Sequence, residues 1–242
     1  MTWFILPGWG LPPKDYEKLA GLLGPDTRTL DSWKVPLTAD TDAIRAELGA
    51  LDSPKVDLLG HSLGGLAAIE WALRRPDQVR QLVLIDPTAP DEVPSRFHVE
   101  GKLRRGMDKL AGAAVEALWR VGPQIRRWGI RQTTGSEDAL PIDEARARYG
   151  TRENSRRLAE QLSASWAHAA RVDALLDAGA ARRRSPAPLL LVGAGNGKQR
   201  RFLRSQWDLG RKLHARTIML TGQNHVFPLT RPDLVVRHIE NL

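Results

Sequence analysis

Residues 55–68 read Lys55-Val-Asp-Leu-Leu-Gly60-His61-Ser62-Leu63-Gly64-Gly65-Leu-Ala-Ala68. The apolar run Val56–Leu59 predicts a buried strand, and the pattern of Leu63–Arg74 predicts a helix. A serine between them, with glycine two residues before and after, is typical of a sharp strand-to-helix turn. Such a turn exposes the Ser62 hydroxyl at a helix N-terminus, where the dipole favours developing negative charge. The stretch therefore predicts Ser62 as a nucleophile. The alternative is a purely structural glycine-rich turn.

Short apolar runs alternate with amphipathic stretches on both sides of this turn. The predicted strands are Trp3–Leu6, Thr27–Leu30, Val56–Leu59, Leu82–Ile85, Leu189–Val192 and Thr217–Leu220. The predicted helices between them are Asp15–Leu23, Asp40–Leu51, Leu63–Arg74, Phe202–Leu213 and Pro232–Ile239. Strands separated by helices indicate βαβ units, so the fold class is α/β with a mostly parallel sheet flanked by helices.

The alternation stops between Pro90 and Pro188. This part contains no convincing strand and has helical patterns at Met107–Trp119 and Ser155–Leu176. About a hundred residues are too many for a plain loop. We therefore predict an α/β core formed by residues 1–90 and 185–242, interrupted by a helical, basic insertion at residues 91–184.

Composition excludes several classes of protein. The 242 residues include no cysteine, so disulfide scaffolds, cysteine-based zinc sites, iron–sulfur clusters and thiol nucleophiles are excluded. No run approaches the roughly 18 apolar residues of a membrane-spanning helix. The opening residues 1–10 have neither a basic leader nor a small-residue cleavage site. We therefore expect a cytoplasmic protein without a membrane span.

The positive charge is concentrated in the insertion. The chain has a net charge of +8, and residues 96–184 hold 18 basic and 11 acidic side chains, a net of +7. A localised basic face suggests an acidic partner such as nucleic acid, an anionic carrier or a membrane surface. The alternative is an arginine-rich bias on solvated helices.

Three motifs together resemble the α/β-hydrolase family. Gly60–Gly65 matches the family's nucleophile elbow, and Pro7-Gly8-Trp9-Gly10 resembles its oxyanion loop, with Pro7 in place of the usual histidine. The stretch from Gly222 to Pro228 resembles the loop that carries the catalytic histidine. The insertion stands where this family places a helical cap, whereas the first two strands of the family are expected to be absent.

The resemblance implies a role for each motif. Ser62 corresponds to the nucleophile and His225 to the general base, in the chain order seen in this fold. The backbone N–H groups of Trp9 and Leu63 correspond to the oxyanion hole. The other histidines are His61, with its side chain turned away from the site, and His98, His168, His214 and His238, interpreted as surface or packing residues.

The acid departs from the family pattern. The family places an aspartate after the strand matched by Leu189–Val192, and this chain has Asn196 there. An asparagine carbonyl can orient the imidazole but cannot stabilise the imidazolium as a carboxylate does. Some relatives supply the acid from the preceding strand, where Asp86 stands. Three interpretations stay open: an Asp86 relay, an Asn196-assisted site, and a degenerate site kept for binding.

Within the family, the chain resembles the pimeloyl-carrier-protein methyl ester esterases, whose substrate is carried by an acidic protein. The resemblance implies that cap arginines steer such an acyl-carrier protein, since guanidinium groups suit phosphates and carboxylates. The candidates are Arg126, Arg127, Arg152 and Arg156, together with Arg104, Arg105, Arg131 and Arg157. Trp119, Trp128 and Trp166 are candidates for an acyl pocket or for ordinary core.

The leading hypothesis is a serine hydrolase that cleaves a carboxylic ester of an acyl chain through an acyl-enzyme. The alternatives are a C–C bond hydrolase, lyase or thioesterase on the same scaffold, and a non-catalytic ligand-binding homologue. The chain lacks the signatures of nucleic-acid-binding motifs, so a small-molecule acyl ester is the expected partner. Neither a cofactor nor a metal is implied, because no Walker loop or dinucleotide-binding glycine motif occurs in the right context.

Overall fold

The computed structural model describes residues 2–92, 119–179, 187–195 and 199–241. Six strands form one sheet in the order β2-β1-β3-β4-β5-β6, and every pairing is parallel. The strands are β1 (Trp3–Leu6), β2 (Arg28–Thr29), β3 (Val56–His61), β4 (Val79–Ile85), β5 (Leu189–Gly195) and β6 (Arg216–Thr221). The predicted α/β class with a parallel sheet is confirmed.

Helices flank the sheet and follow its strands. They are α1 (Glu17–Leu23), α2 (Thr41–Glu47), α3 (Leu63–Arg74), α4 (Gly122–Thr134), α5 (Ile142–Tyr149), α6 (Arg152–Asp177), α7 (Arg200–Leu213), α8 (Phe227–Thr230) and α9 (Pro232–Glu240). Short 3₁₀ helices lie at Pro13–Tyr16, Pro76–Gln78 and Trp119–Val121. The helix predicted over Asp40–Leu51 is too long, because Gly49 adopts φ +67° and ends it.

The central strands are buried on both faces, as parallel strands between two helical layers must be. Phe4 and Leu6 pack with Trp71 in one apolar cluster. Ile5, on the opposite face of β1, packs with Tyr16 in the other cluster. Alternating strand side chains therefore supply both cores from one apolar run.

The strand order reverses beside β1. β2 and β3 both follow β1 in the sequence but pair with its two different edges. In open parallel sheets, ligands bind outside the carboxyl ends of the strands at such a point. The loop of residues 7–10 and Ser62 follow the carboxyl ends of the two strands that meet there.

Between β4 and β5, the described residues form helices joined by turns and loops, and they include no strand. We call α4, α5 and α6 the cap helices. The pattern Ser155–Leu176 falls within α6, whereas α4 and α5 were not individually predicted. Of the predicted helix Met107–Trp119, residues 107–118 lie outside the described part of the chain, as do Arg104, Arg105 and His98. The predicted domain boundaries stay a prediction.

The longest cap helix packs on the core through a buried polar contact. His168 of α6 is fully buried, and its Nε2 lies 2.8 Å from Oε2 of Glu70 on α3. Although burial raises the pKa of Glu70, hydrogen bonds from His168, Arg171 and Arg74 lower it to about 2. His168 is therefore a packing residue.

Candidate active site

The turn at Ser62 has the strained backbone that the motif predicts. Ser62 adopts φ 53° and ψ −124°, immediately before the first residue of α3. Its backbone N–H donates to the carbonyl of Ile85, and its carbonyl accepts from the N–H groups of Gly65 and Thr88. Hydrogen bonds to α3, to the end of β4 and to the residues that follow β4 therefore hold a conformation that costs a non-glycine residue about 1–3 kcal/mol.

Gly64 allows the oxyanion loop to approach this turn. A Cβ on Gly64 would lie 2.1 Å from the carbonyl oxygen of Leu6 and 2.3 Å from that of Pro7. Backbone at the end of β1 therefore rests directly on the first turn of α3. A Cβ on Gly60 would lie 2.7 Å from the Cβ of Ala68, which gives a steric reason for the glycine two residues before Ser62.

Asp86 and His225 meet at the carboxyl edge of the sheet. Asp86 follows β4 with φ +40°, and its backbone N–H donates 2.9 Å to the carbonyl of Leu191. Its Oδ1 accepts a 2.7 Å hydrogen bond from the N–H of Gly193, and Oδ2 lies 3.3 Å from Nδ1 of His225. The carboxylate is fully buried, whereas half of the imidazole is exposed. This arrangement leaves Nε2 of His225 available to a reacting group.

Hydrogen-bonding and charged neighbours offset only part of the cost of burying the Asp86 carboxylate. Burial raises the pKa of the Asp86 carboxyl above its usual value, and its contacts with His225 and the Gly193 N–H oppose this rise. Within the described residues Oδ2 makes no hydrogen bond, and its 3.3 Å approach to Nδ1 of His225 is a close polar contact only. A positive charge on the imidazole would therefore be favoured by this carboxylate.

Asn196 stands after β5, where the motif resemblance places the acid. Asn196 lies outside the described residues. The preceding Gly193 gives its N–H to Asp86, and a Cβ there would lie 3.0 Å from Asp86 Oδ2. The end of β5 therefore serves as a backbone support for Asp86.

The two backbone N–H groups that the sequence predicts for the oxyanion hole have no acceptor within the described residues. Neither Leu63, which opens α3, nor Trp9, in the loop after β1, donates its backbone N–H to an acceptor among the described residues. The Ser62 hydroxyl likewise makes no hydrogen bond there, including to His225. Catalytic hydrogen bonds commonly tighten only when substrate is bound.

The two tyrosines of the chain hold the oxyanion loop at both ends. The Tyr16 hydroxyl accepts a 2.8 Å hydrogen bond from the N–H of Gly8. The Tyr149 hydroxyl, from cap helix α5, donates 2.7 Å to the carbonyl of Gly10. Between them, the Trp9 indole N–H donates 3.0 Å to the carbonyl of Leu158. No sequence motif predicts these contacts, because the partners are backbone atoms in a separate segment of the chain.

Arg126 is not a partner-binding residue, contrary to the expectation from the sequence. Its side chain is 4% exposed and bonds Asp15 of the core and Asp138 after α4, at 2.6 and 2.9 Å. It also donates 3.0 Å to the Tyr149 hydroxyl. A buried guanidinium between two buried carboxylates is a structural anchor of the cap, and it orients the tyrosine that holds Gly10.

The other candidate cap arginines that lie within the described residues are exposed: Arg127, Arg131, Arg152, Arg156 and Arg157. Arg127 and Arg152 have no acidic partner among the described residues, and Arg156 lies 3.5 Å from Glu160. Arg127 also lines a cavity of about 500 Å³ with Trp119, Arg120 and Arg146. Trp128 and Trp166 are 66% and 38% exposed, so neither is ordinary core.

An open cavity adjoins the acid and base. It has a volume of about 720 Å³ and is lined by Asp86, His225, Asn224, Phe202 and Arg201, among others. Asn224 also donates 2.6 Å to the carbonyl of Thr133 at the end of α4, which ties the histidine loop to the cap. Within the described residues, no group of three or more His, Cys, Asp or Glu side chains could hold a metal ion. No helix in the described ranges is long and apolar enough to cross a membrane.

Comparison with known proteins agrees with this geometry. The model of the alpha/beta hydrolase family matches residues 4–238. The chain belongs to the α/β-hydrolase family. This confirms the resemblance seen in the three motifs.

Individual relatives of this α/β-hydrolase match over shorter stretches. It is similar to pimeloyl-[acyl-carrier protein] methyl ester esterase of Neisseria meningitidis serogroup C, at 31% identity over 126 residues, 46% of this chain and 45% of that protein. It is also similar to lipase LipV of Mycobacterium tuberculosis, at 44% identity over 57 residues, 23% of this chain and 22% of that protein. Each match covers less than half of the relative's length.

The solved structures extend the likeness to the whole fold. Cfl2 from Burkholderia cenocepacia superposes with a TM-score of 0.70 at 15% identity, over 99% of this chain and 87% of that one. At this identity the likeness shows the fold alone.

Proposed function

We propose that this α/β-hydrolase is a serine hydrolase that cleaves a carboxylic ester through an acyl-enzyme. The observation that carries the proposal is the 3.3 Å approach of the buried Asp86 carboxylate to Nδ1 of His225. It supplies an oriented base at the same sheet edge as the strained turn of Ser62. The names of the lipase and methyl ester esterase relatives support an ester as the substrate class.

The first half-reaction forms the acyl-enzyme. The Ser62 oxygen attacks the ester carbonyl carbon, and its proton passes to Nε2 of His225. The carbonyl oxygen becomes an oxyanion that accepts hydrogen bonds from the N–H groups of Trp9 and Leu63. The carbon–oxygen bond to the alcohol then breaks, and the alcohol leaves with the proton from His225.

The second half-reaction reverses these roles with water. His225 takes a proton from water as its oxygen attacks the acyl carbonyl carbon. The bond to Ser62 breaks, the carboxylic acid leaves, and the serine regains its proton. Throughout, Asp86 stabilises the imidazolium through Nδ1 and keeps the ring in its working tautomer.

The acid is assigned to Asp86 rather than Asn196. An aspartate at the end of β4 is within reach of His225, and its other oxygen is fixed by the Gly193 N–H. A carboxylate stabilises the imidazolium, whereas an asparagine only orients it. The 3.3 Å contact with His225 therefore supports Asp86 as the triad acid.

The exposed cap arginines support a carrier-linked substrate. Arg127, Arg152 and Arg156 stand on the outer side of helices whose segment carries most of the excess charge. Their guanidinium groups suit an acidic acyl-carrier protein. Salt should slow hydrolysis of a carrier-bound ester more than that of a free ester, since exposed charges are screened. Equal sensitivity of the two substrates would exclude steering by the carrier.

Covalent labelling with a fluorophosphonate tests the reaction class. Labelling should occur in the wild type and in the control Ser53→Ala, and should vanish in Ser62→Ala. Asp86→Asn should slow labelling strongly, whereas the control Asp77→Asn should not. Faster labelling in Asn196→Asp, with Asp86→Asn unchanged, would assign the acid to position 196. An unlabelled wild type would favour a non-catalytic binding protein.

A further inference from the structure

The histidine beside the nucleophile touches two functional loops at once. His61 ends β3 and is fully buried. Its Nδ1 lies 2.5 Å from the hydroxyl oxygen of Tyr16, and its Nε2 lies 2.8 Å from the backbone carbonyl oxygen of His225. Tyr16 in turn accepts from the N–H of Gly8 in the oxyanion loop. A continuous chain of hydrogen bonds therefore joins Gly8 to His225.

The direction of every bond in this chain can be assigned. A backbone carbonyl only accepts, so Nε2 of His61 carries the proton that it donates to His225. Burial, together with the neighbouring His225, lowers the pKa of His61 to about 3, so the ring is neutral and Nδ1 accepts. Tyr16 is the donor to Nδ1, because burial raises the pKa of its hydroxyl and keeps it protonated. With these directions, both ring nitrogens of His61 and the Tyr16 hydroxyl have hydrogen-bond partners.

The placement of His61 follows from the sheet. Side chains alternate along a strand, so His61 lies on the same face of β3 as Leu59, two residues before it. That face packs on Tyr16. Ser62 lies in the turn between β3 and α3, whereas the His61 side chain lies against the loop that carries His225.

We propose that His61 and Tyr16 are positioning residues that fix the general-base loop and the oxyanion loop relative to one another. The proposal deepens the proposed function and rests on it, since it assigns His225 as the base and Trp9 as an oxyanion donor. His61 holds the backbone of His225, and Tyr16 holds the residue preceding Trp9. Neither side chain touches the reacting atoms. Both act through the placement of groups that do.

Loss of the hydrogen bonds from Gly8 through Tyr16 and His61 to His225 should therefore reduce turnover more than substrate binding. A displacement of a catalytic group by about 1 Å can cost about 100-fold in rate. Broken hydrogen bonds would also leave the buried Gly8 N–H and the partly buried His225 carbonyl without these partners. Both loops are needed in the transition state, so we expect an equal fall in kcat and kcat/KM.

The test compares Tyr16→Phe, His61→Phe, the double variant and His61→Gln in the full chain. The control is Trp71→Phe, a buried aromatic in the cluster on the opposite face of the sheet. The measurements are kcat and KM on p-nitrophenyl acetate, the rate of fluorophosphonate labelling, and the midpoint of thermal unfolding. Tyr16→Phe removes a single oxygen atom, so it decides the question if His61→Phe does not fold.

Tyr16→Phe and His61→Phe should each lower kcat about 10- to 100-fold. The double variant should lose no more kcat than the more damaging single variant, because the two residues belong to one hydrogen-bond network. His61→Gln, which keeps a donor to the His225 carbonyl, should recover most of the activity. Trp71→Phe should lower the unfolding midpoint without this loss.

Two results would overturn the proposal. One is wild-type kcat in folded Tyr16→Phe; the other is a double variant whose losses multiply as independent effects. Failure of the proposed function gives a different signature, because the wild type itself would then hydrolyse no ester and take no Ser62-dependent label.

Discussion

Nδ1 of His225, in the loop after β6, lies 3.3 Å from the Asp86 carboxylate at the end of β4. The intervening strand β5 supports this contact through the Gly193 N–H, which bonds the other oxygen of Asp86. Asp86 and His225 thus meet across one strand of a parallel sheet. The Asp86 side chain is fully buried, so its charge is stabilised only by protein groups.

Replacement of Asp86 by asparagine should abolish most of the catalysis. The change keeps the shape of the side chain but removes the charge that stabilises the imidazolium, and a comparable change in a triad costs about 10⁴-fold in kcat. Steady-state kinetics on an activated ester measures the loss. Asp77→Asn, in the exposed turn after α3, is the matched control. Retention of at least a tenth of the wild-type kcat in Asp86→Asn would assign the acid elsewhere.

The stability of the protein should fall as pH drops below about 6.5, because of His61. Its pKa is lowered from 6.5 in the unfolded chain to about 3 in the fold, so between these two pH values the ring is neutral in the native state and protonated in the unfolded state. This contribution is complete above pH 6.5 and is lost as pH falls towards 3. The slope is about 1.4 kcal/mol per pH unit for one proton.

Urea unfolding at pH 7.5 and pH 5 measures this dependence. His61→Gln does not titrate and should lose less stability over the same interval than the wild type. Glu70, whose pKa is about 2 in the fold, contributes only below about 4.5, outside this interval. Identical losses in the wild type and His61→Gln would refute the assignment.

Arg126 should be among the residues whose loss most destabilises the cap. Arg126→Met leaves the buried carboxylates of Asp15 and Asp138 without their common cation. Removal of one member of a buried ion pair costs about 3–5 kcal/mol. Chemical unfolding should show this loss, whereas Arg127→Met, on the exposed side of the same helix, should change stability little. Equal stability of the two variants would contradict the buried network.

Gly64 should tolerate no side chain. In Gly64→Ala the new Cβ would lie 2.1 Å from the Leu6 carbonyl oxygen, so the end of β1 or the first turn of α3 must move. We expect loss of stability and of fluorophosphonate labelling. Gly129→Ala is the matched control, since nothing lies within 4 Å of its Cβ position and alanine stabilises a helix interior by about 1 kcal/mol. A fully labelled Gly64→Ala would contradict the described approach.

The sequence predicts those parts of the site that local patterns determine. Ser62, Asp86 and His225 each follow an apolar run, and parallel strands bring their carboxyl ends to one edge. The motif around Ser62 also predicts the helix over Leu63–Arg74 to its last residue. These features need no knowledge of distant contacts.

Features that depend on distant partners were missed or misjudged. Arg126 looks like its exposed neighbour Arg127 in the sequence, and its burial follows only from pairing with Asp15. Tyr149 and Tyr16 bond backbone groups of a loop that no periodicity connects to them. Polar networks between segments distant in sequence therefore account for most of what the pattern did not reveal.

The most direct test of the account is to trap the acyl-enzyme. The protein is mixed with p-nitrophenyl acetate, quenched in acid, and its intact mass and peptide map are determined. The account predicts one acetyl group on Ser62, absent from Ser62→Ala and present in Ser53→Ala. Rapid hydrolysis with no acetyl group on Ser62, or an acetyl group on another residue that persists in Ser62→Ala, would contradict Ser62 as the nucleophile.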